Sequence, residues 1–290
     1  MNPSYKLGKR FPTGGNAVET KVEKNQLEEY LSLRKIEGIS ENWYKQVKRE
    51  LIHYLDSVEW VITKSNTLDY VLALNKKYSV CTYRKKVYQI RKLLEYLSMD
   101  WASHIKLPDE PHYIPKHITL ENIDSTLNYF KGHRYETQLK ALIYLGASSG
   151  MRAHEIYQLR PEDLDIDNRI IHINHNPKNG QSTKTKQSRI SFFTTEAKEV
   201  LEEYLKFFNN GSGLKCLFSY QHISRMFKDA PIQVKDLRKY FSQTWTRKNG
   251  NSSVKRILMG HSLKGDVDLG HYNVQSTEEL KQIYDSVMLK

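Results

Sequence analysis

Apolar residues recur at helical spacing through the first third of the chain. Trp43, Val47, Leu51 and Leu55 repeat every four residues and therefore form one stripe along a helix. Ser40 suits the N-cap of this helix, because its hydroxyl can accept a hydrogen bond from a free backbone N–H of the first turn. The pattern predicts a small bundle of such helices in this part of the chain.

The last helix of the predicted bundle has a strongly basic side. Val87, Ile90, Leu94 and Leu97 form its apolar stripe, which should face the other helices. The outer surface of this helix is predicted to carry Tyr83, Arg84, Lys85, Lys86, Tyr88, Arg91 and Lys92. We therefore expect it to present positive charge to solvent.

The chain divides into four regions by composition. Residues 1–20 are basic and show no clear period, which predicts a flexible arm. Residues 21–103 form the helical bundle. Residues 104–117 contain three prolines and neither helical nor strand periodicity, so they are interpreted as an interdomain linker. Residues 118–290 form a second domain.

The second domain combines helices with one small sheet. The segments RIIHIN (169–174) and SRISFF (188–193) have strand character, and the polar, turn-rich stretch between them predicts a β-hairpin. Thr119 is a predicted N-cap at the start of the domain, and a helix over Thr277–Met288 closes the chain. The expected fold class is mainly α with a small β-sheet (α+β).

The net charge narrows the class of partner. The chain has 45 Lys and Arg residues against 33 Asp and Glu, a formal net charge of +12, which favours a polyanion. No apolar run approaches the roughly 20 residues of a membrane span, and the N-terminus lacks the apolar core of a signal peptide. Nucleic acid is therefore the expected partner, and no membrane partner is expected. Cys81 and Cys216 are too few and too far apart for a disulfide scaffold or a zinc site, which fits a reducing cytoplasm.

Arg152 is the first candidate for phosphate chemistry. It follows the turn at Gly150 directly, at the predicted start of a short helix, where a rigid scaffold can aim its side chain. The planar guanidinium can bind two non-bridging phosphate oxygens at once. Glu155, one helical turn later, is placed to hold that guanidinium. A surface Arg–Glu pair is the alternative, and this segment alone favours neither.

Lysines in the predicted hairpin loop are the second group of candidates. A lysine at a β-turn can contact the minor groove and donate a proton to a leaving oxygen, although most loop lysines only contact phosphates or water. Lys184 is preferred for proton donation because of its spacing from Arg189 and the returning strand. Lys178 and Lys186 are predicted to bind DNA, and Lys186 stays open as the proton donor.

Two further segments bring candidate cations, a histidine and a tyrosine. Lys235 and Arg238 share one face near the start of a predicted helix, where a bound anion would also gain from the helix dipole. The alternative is a solvated basic helix face. His261 follows Gly260 at the end of another predicted helix, and Tyr272 follows a glycine-containing stretch. A phenol, with a pKa near 10, needs neighbouring cations or a base to act as a nucleophile.

Five segments in this order resemble the catalytic domain of the tyrosine recombinases, also called the phage integrase family. They are GMRAHEI, TKTKQSRISF, KDLRKYF, MGHS and DLGHY, which contain Arg152, Lys184, Arg238, His261 and Tyr272, respectively. The helical segment before the linker resembles the core-binding domain of the same family. The ordered set is specific, whereas each segment alone is weak.

The resemblance implies a role for each of these residues. Arg152 and Arg238 would clamp the scissile phosphate, with Glu155 as the support of the first arginine. Lys184 would be the general acid towards the 5′-oxygen, and His261 would donate a hydrogen bond to the phosphate. Arg84, Lys85, Lys86, Arg91 and Tyr83 of the basic helix are expected to contact DNA.

The resemblance also implies a reaction. Tyr272 would attack phosphorus and form a 3′-phosphotyrosyl intermediate, with no cofactor, metal or ATP. Lys235 stands where most members have histidine, a substitution typical of integrases from archaeal viruses and plasmids of the spindle-shaped virus type. An ammonium with a pKa of ~10.4 is a poor base, so Lys235 is interpreted as an electrostatic stabiliser.

The expected enzyme is therefore a site-specific recombinase (integrase), cytoplasmic and associated with the nucleoid. We expect a monomer or dimer in the free state and a homotetramer on DNA, with the helix Thr277–Met288 packed onto a neighbouring subunit. A type IB topoisomerase, a Xer-type dimer resolvase and a non-catalytic DNA-binding protein of the same fold are the alternatives.

Overall fold

A computed structural model of the chain describes residues 19–209, 215–262 and 275–289. The chain divides into two compact units, residues 1–114 and residues 115–290. Most of the predicted arm lies outside the described residues, apart from Glu19 and Thr20. Within the described residues, no helix is long and apolar enough to cross a membrane.

The first unit is a helical bundle with one very short sheet. Strands β1 (Thr20–Lys21) and β2 (Val61–Ile62) pair antiparallel, which was not predicted because each has only two residues. Its helices are α1 (Lys24–Ile36), α2 (Glu41–Ser57), α3 (Lys64–Lys77) and α4 (Val80–Tyr96), followed by a 3₁₀ turn over Asp100–His104.

Local capping explains where these helices begin. The Ser40 hydroxyl accepts a hydrogen bond from the backbone N–H of Trp43 at 3.3 Å, as predicted. Thr63 caps α3 in the same way, and the Asn66 side chain accepts a hydrogen bond from the Thr63 backbone N–H. The start of both helices therefore depends on residues within a few positions of the cap.

The core of the first unit lies between its helices. Leu31 of α1, Leu51 and Leu55 of α2, and Val87 of α4 are fully buried. The placement of Tyr83 on the outer surface of α4 is wrong, because the side chain is buried with only 8% of its surface exposed. Tyr83 precedes Val87 by four residues, so the helical period itself puts it on the core stripe.

The predicted linker lies across the boundary between the units. Ile105 is buried in the core of the first unit, and Ile118 is buried in the core of the second. Lys116 belongs to the second unit, where its backbone carbonyl accepts a hydrogen bond from the Gln243 side chain at 2.9 Å. Both ends of the predicted 104–117 segment are therefore attached to the unit beside them.

The second unit combines helices with a three-stranded sheet, which confirms the predicted fold class. Strands β3 (Leu164–Asp165), β4 (Ile170–Ile173) and β5 (Arg189–Phe192) pair antiparallel in that order. The predicted hairpin is β4–β5, and only the two-residue β3 was not predicted. The helices are α5 (Leu120–Tyr129), α6 (Glu136–Ser149), α7 (Ala153–Tyr157), α8 (Thr195–Asn209), α9 (Tyr220–Met226), α10 (Val234–Arg247), α11 (Ser252–Met259) and α12 (Thr277–Met288).

Helix α6 forms the centre of this unit and ends at a glycine. Gly150 has φ +66°, a left-handed conformation that suits a residue without a Cβ. A Cβ at this position would lie 2.5 Å from the Phe241 ring, so the close packing of α10 also requires glycine. The chain then turns directly into α7, which begins after Arg152.

The C-terminal helix α12 packs on its own unit. Leu280, Tyr284 and Val287 are buried in one cluster with Phe241 and Trp245 of α10. The Tyr284 hydroxyl donates to the Ser148 carbonyl at the end of α6, at 2.8 Å. Its own unit covers the apolar stripe of α12 here, and packing of this helix onto a neighbouring subunit stays a prediction.

Candidate active site

Arg152 and Glu155 form a pair, as predicted from their spacing. Arg152 is the N-cap of α7, and its backbone N–H donates to Glu155 Oε2 at 2.8 Å. Its Nη1 donates to Glu155 Oε1 at 2.9 Å, and its Nη2 donates to the Gly260 carbonyl at 2.8 Å. The guanidinium is therefore fixed between α7 and the end of α11.

A second arginine, Arg189, contacts the same carboxylate. Its Nη1 and Nη2 donate to Glu155 Oε1 and Oε2 at 3.0 and 2.6 Å, a bidentate arrangement. The Glu155 side chain is only 3% exposed. Burial raises the pKa of this carboxyl, but hydrogen bonds and charge from Arg189 and Arg152 outweigh burial, so the pKa lies below its usual value. Glu155 is thus ionised at neutral pH.

Arg238 is tied to the ends of two helices. Its Nη1 donates to the Gly150 carbonyl after α6 at 2.7 Å and to the Met259 carbonyl in α11 at 2.8 Å. Carbonyls at a helix C-terminus have no intrahelical donor and carry partial negative charge, so they suit a cation. Burial, followed by the charge of Arg152, lowers the pKa of Arg238 to about 10, which leaves it protonated at neutral pH.

Gly260 allows this packing at the end of α11. It has φ +62°, and a Cβ there would lie 2.7 Å from the guanidinium carbon of Arg189. His261 follows, and its backbone N–H donates to the Arg256 carbonyl at 3.0 Å. His261 is exposed, but partial desolvation of its ring, then the charges of Arg238 and Arg152, lower its pKa. The histidine is therefore neutral at pH 7 and can donate one hydrogen bond.

The candidate lysines of the second unit are all exposed. Lys184 is exposed at the turn between β4 and β5, and its ammonium has no ion pair within the described ranges. Lys235 is exposed at the second residue of α10, one turn before Arg238. Lys178 is exposed in a 3₁₀ turn of the hairpin, and Lys186 is exposed with φ +57°.

The structure therefore brings Arg152, Arg238 and His261, three of the six predicted catalytic residues, together near Glu155. Glu155 binds Arg152 and Arg189, while Arg152 and Arg238 donate to the successive carbonyls of Gly260 and Met259, just before His261. Three guanidiniums face one carboxylate, which leaves an excess of positive charge suited to a phosphate. The predicted nucleophile, Tyr272, lies outside the described residues.

Arg189 was not predicted as a site residue. In the sequence it only marks the start of a strand, and it pairs with Ile173 across the hairpin. The available signal was a single cation at the start of a strand whose last two residues are buried. Its contact with Glu155, 34 residues away, depends on the packing of β5 beside α7.

The basic residues of α4 hold their charge differently. Arg84 forms an ion pair with Glu110 at 3.4 Å, and Arg91 forms one with Glu95 at 3.3 Å. Lys86 pairs with Glu50 of α2, and its ammonium lies 4.7 Å from the centre of the Tyr78 ring. Lys85 is exposed and has no ion pair among residues that the structure describes.

Comparison with known proteins shows which protein family the second unit matches. The phage integrase family matches residues 116–264, just over half of the chain. The matched range includes Arg152, Glu155, Arg189, Arg238 and His261.

The chain belongs to the phage integrase family.

Curated tyrosine recombinases match this chain over alignments of different lengths. The chain is 26% identical over 187 residues to tyrosine recombinase XerC of Neisseria meningitidis serogroup C, which is 63% of this chain but only 56% of that protein. It is 25% identical over 293 residues to tyrosine recombinase XerD of Halalkalibacterium halodurans, covering 91% of this chain and 93% of that protein.

The fold is also that of solved recombinase structures. A crystal structure of a lambda integrase dimer bound to a COC′ core site superimposes with a TM-score of 0.65. The sequence identity is 11%, and the match covers 87% of this chain and 98% of that one. This tyrosine recombinase therefore keeps the integrase fold while most of its side chains differ.

Proposed function

We propose that this chain is a site-specific DNA recombinase that cuts and rejoins double-stranded DNA through a 3′-phosphotyrosyl intermediate. Arg152 and Arg238 bind the scissile phosphate, and His261 donates a hydrogen bond to it. Lys184 is the general acid, and Lys235 stabilises charge without acting as a base. Tyr272 is the nucleophile.

The proposed step balances with these groups. The Tyr272 phenol oxygen forms a bond to phosphorus and loses its proton to water or a base. The bond between phosphorus and the 5′-oxygen breaks, and the 5′-oxygen takes a proton from the Lys184 ammonium. The products are a 3′-phosphotyrosine and a free 5′-hydroxyl. Because the phosphodiester bond is exchanged and not hydrolysed, the reverse attack by a 5′-hydroxyl rejoins a strand without ATP.

The arginine cluster supports this proposal most strongly. In-line attack places growing negative charge on the non-bridging phosphate oxygens. Arg152 and Arg238 are already held by backbone carbonyls, so they need little rearrangement to meet that charge. Removing one preorganised donor of this kind costs about 2.7–4 kcal/mol of transition-state stabilisation in other enzymes.

Covalent capture tests the assignment of the nucleophile. The wild-type protein, incubated with nicked DNA that carries its site, should form an adduct that survives SDS. Tyr272→Phe should form none, because only the attacking oxygen is removed. Tyr129→Phe serves as the control, since Tyr129 is an exposed tyrosine of the same unit and should leave the adduct unchanged. An adduct that persists in Tyr272→Phe would show that another residue attacks.

The first unit is proposed to be the core-binding domain, preceded by a basic arm. Arg84, Lys85, Lys86 and Arg91 would contact the phosphates of the duplex, with Lys178 and Lys186 of the hairpin doing so from the catalytic domain. Tyr83 is left out of this set because it is buried. We further propose a homotetramer on paired sites, acting on the nucleoid, which sedimentation with and without DNA would test.

Dimer resolution is the second candidate function, since the alignment with XerD spans almost the whole of both proteins. Integration and resolution differ in the DNA that is joined. A plasmid with two copies of the site should be resolved by a Xer-type enzyme, whereas an integrase should join two different sites. The likeness of Lys235 to integrases of archaeal viruses and plasmids stays a prediction.

A further inference from the structure

The hairpin between β4 and β5 contains two successive turns. Asn176 and Gln181 pair with each other and close the first turn, which contains Pro177–Asn179. The second turn runs from Thr183 to Gln187. Its ends are joined by the Thr183 hydroxyl, which donates to the Gln187 carbonyl at 2.9 Å and accepts from the Gln187 backbone N–H at 3.1 Å. Lys184 is exposed on this second turn, termed the lysine turn below.

His175 joins the two ends of the lysine turn. Its ring Nδ1 accepts a hydrogen bond from the Thr183 backbone N–H at 3.0 Å. Its own backbone N–H donates to the Ser188 hydroxyl at 2.9 Å. Thr183 is 7% exposed, so the first of these bonds is largely shielded from water. His175, two residues after the end of β4, thus holds the chain on both sides of Lys184.

The first bond defines the protonation of the ring. A backbone N–H can only donate, so Nδ1 of His175 must present its lone pair, and any proton of the neutral ring lies on Nε2. A side chain without an acceptor at this position would leave the Thr183 N–H without a partner. An unsatisfied buried donor of this kind is costly, so the turn would rearrange to expose it.

The lysine turn is also tied to α7. The Ser182 backbone N–H donates to the Gln158 side-chain oxygen at 2.7 Å. Gln158 is the C-cap of α7, whose N-cap is Arg152. Ser182 and Thr183 are therefore each held by one side chain, so the turn is fixed relative to the helix that aims the first arginine.

We propose that His175 is a positioning residue that holds Lys184 where it can protonate the 5′-oxygen, an inference that rests on the proposed function. A lysine side chain is long and flexible, so only the backbone of the turn can limit where its ammonium reaches. A shift of about 1 Å in a reacting group can lower a rate by roughly 10²-fold. The position of Thr183, and therefore of Lys184, depends on the acceptor nitrogen of His175.

Two substitutions distinguish the effect of the Nδ1 acceptor from that of the rest of the His175 ring. In His175→Asn the side-chain oxygen can occupy about the place of Nδ1, whereas in His175→Gln the amide reaches the place of Nε2. We expect His175→Gln to cleave the nicked site roughly 10²-fold more slowly and His175→Asn to stay within a few-fold of wild type. His172→Gln is the matched control, because His172 is exposed on β4, three residues before His175. All variants should bind the site with unchanged affinity.

A modified DNA identifies the step that His175 affects. Sulfur in place of the bridging 5′-oxygen makes a leaving group with a thiol-like pKa near 8.5, which departs without a proton from the enzyme. His175→Gln and Lys184→Ala should both regain the wild-type cleavage rate on this DNA. In addition, His175→Gln should cause no further loss on ordinary DNA in the Lys184→Ala background, because both changes remove the same contribution.

The outcomes distinguish this inference from the proposed function. The inference is overturned if sulfur rescues Lys184→Ala but not His175→Gln, or if His175→Asn is as slow as His175→Gln. If sulfur does not rescue Lys184→Ala, Lys184 is not the general acid and the inference is overturned with that assignment. If the wild type forms no adduct on either DNA, the recombinase proposal itself is wrong, and the inference with it.

Discussion

The two basic regions of this protein hold their cations in different ways. On α4, Arg84 pairs with the exposed Glu110, and Arg91 and Lys92 share the exposed Glu95. In the second unit, Arg152 and Arg189 share the buried carboxylate of Glu155, and Arg238 is held by backbone carbonyls, with no carboxylate partner among the residues that the structure describes. The first arrangement leaves the cations mobile, and the second fixes them.

This difference indicates that the α4 cations suit DNA binding and that the arginine cluster suits catalysis. An exposed ion pair is worth about 0–1 kcal/mol and is screened by salt, so phosphate oxygens can replace the carboxylate easily. A buried cluster cannot rearrange in that way, and its excess positive charge is satisfied only when an anion arrives. Surface cations therefore suit contacts along a DNA backbone, whereas the arginine cluster suits one phosphate in one position.

Removal of the shared carboxylate should have the largest effect on stability. Glu155→Ala leaves Arg152 and Arg189 partly buried without their counter-ion, which should lower the free energy of unfolding by about 3–5 kcal/mol. Urea unfolding at pH 7 measures this loss. Glu162→Ala is the control, because the exposed Glu162 pairs with Arg160 at 3.6 Å and should cost no more than about 1 kcal/mol. Equal losses in the two variants would mean that the buried Glu155 carboxylate stabilises the fold no more than an exposed ion pair does.

The pH dependence of the same variant follows from the lowered pKa of Glu155. The carboxyl is more acidic in the folded protein than in the unfolded chain. Its stabilising contribution is therefore complete above the unfolded value near 4.5 and is lost as the pH falls through the folded value. The difference between wild type and Glu155→Ala should shrink when unfolding is measured below pH 4.5. A difference that stays constant would rule out the ionised carboxylate as its source.

Helix boundaries could be predicted well because they depend on neighbouring residues. The cap at Ser40 and the start of α12 after Ser276 are local hydrogen bonds that the sequence displays directly. Tyr83 was misplaced although the period of α4 contains the answer, since its chemical type suggested a DNA contact. Neighbouring residues carried the needed information both for the helix starts and for Tyr83, but for Tyr83 that information was misinterpreted.

The contacts that make the active site could be predicted only in part. Arg152 and Glu155 are three residues apart, and helical geometry brings them together. Arg238 meets the Gly150 carbonyl across 88 positions, and Arg189 meets Glu155 across 34, so both contacts depend on tertiary packing. Family resemblance predicted the role of Arg238 without its partners, and it named no role for Arg189.

Arg238→Lys should have the second-largest effect, mainly on the rate of DNA cleavage. The lysine keeps a positive charge but cannot bridge the Gly150 and Met259 carbonyls while facing a phosphate. Cleavage of the nicked site should slow by about 10²–10³-fold with little change in DNA affinity. Arg247→Lys on the exposed side of α10 is the control and should cleave normally. A loss of binding in proportion to cleavage would make Arg238 a general DNA contact.

Lys85→Ala should have a smaller effect, on affinity alone. If the exposed Lys85 contacts one phosphate, its removal should weaken binding of all sequences alike. The slope of log K against log salt should fall by about 1, because one fewer counter-ion is released. Binding titrations at several salt concentrations measure this slope. An unchanged slope would place Lys85 outside the DNA contact.

The smallest predicted effect concerns Glu95, which pairs with Arg91 and Lys92. Glu95→Gln removes a carboxylate that competes with phosphate for both cations. DNA binding should therefore tighten, by less than about 1 kcal/mol, and stability should change by a similarly small amount. Weaker binding in this variant would contradict the view that α4 exchanges carboxylates for phosphates.

The central claim is that the fixed arginines act on the negative charge of one phosphate. A methylphosphonate at the scissile position removes that charge and keeps the rest of the DNA intact. On ordinary DNA, Arg238→Ala should cleave about 10²–10³-fold more slowly than wild type. On methylphosphonate DNA the two proteins should react at nearly the same rate, because the phosphate charge that Arg238 is proposed to neutralise is absent. An equally large difference on both substrates would contradict the claim.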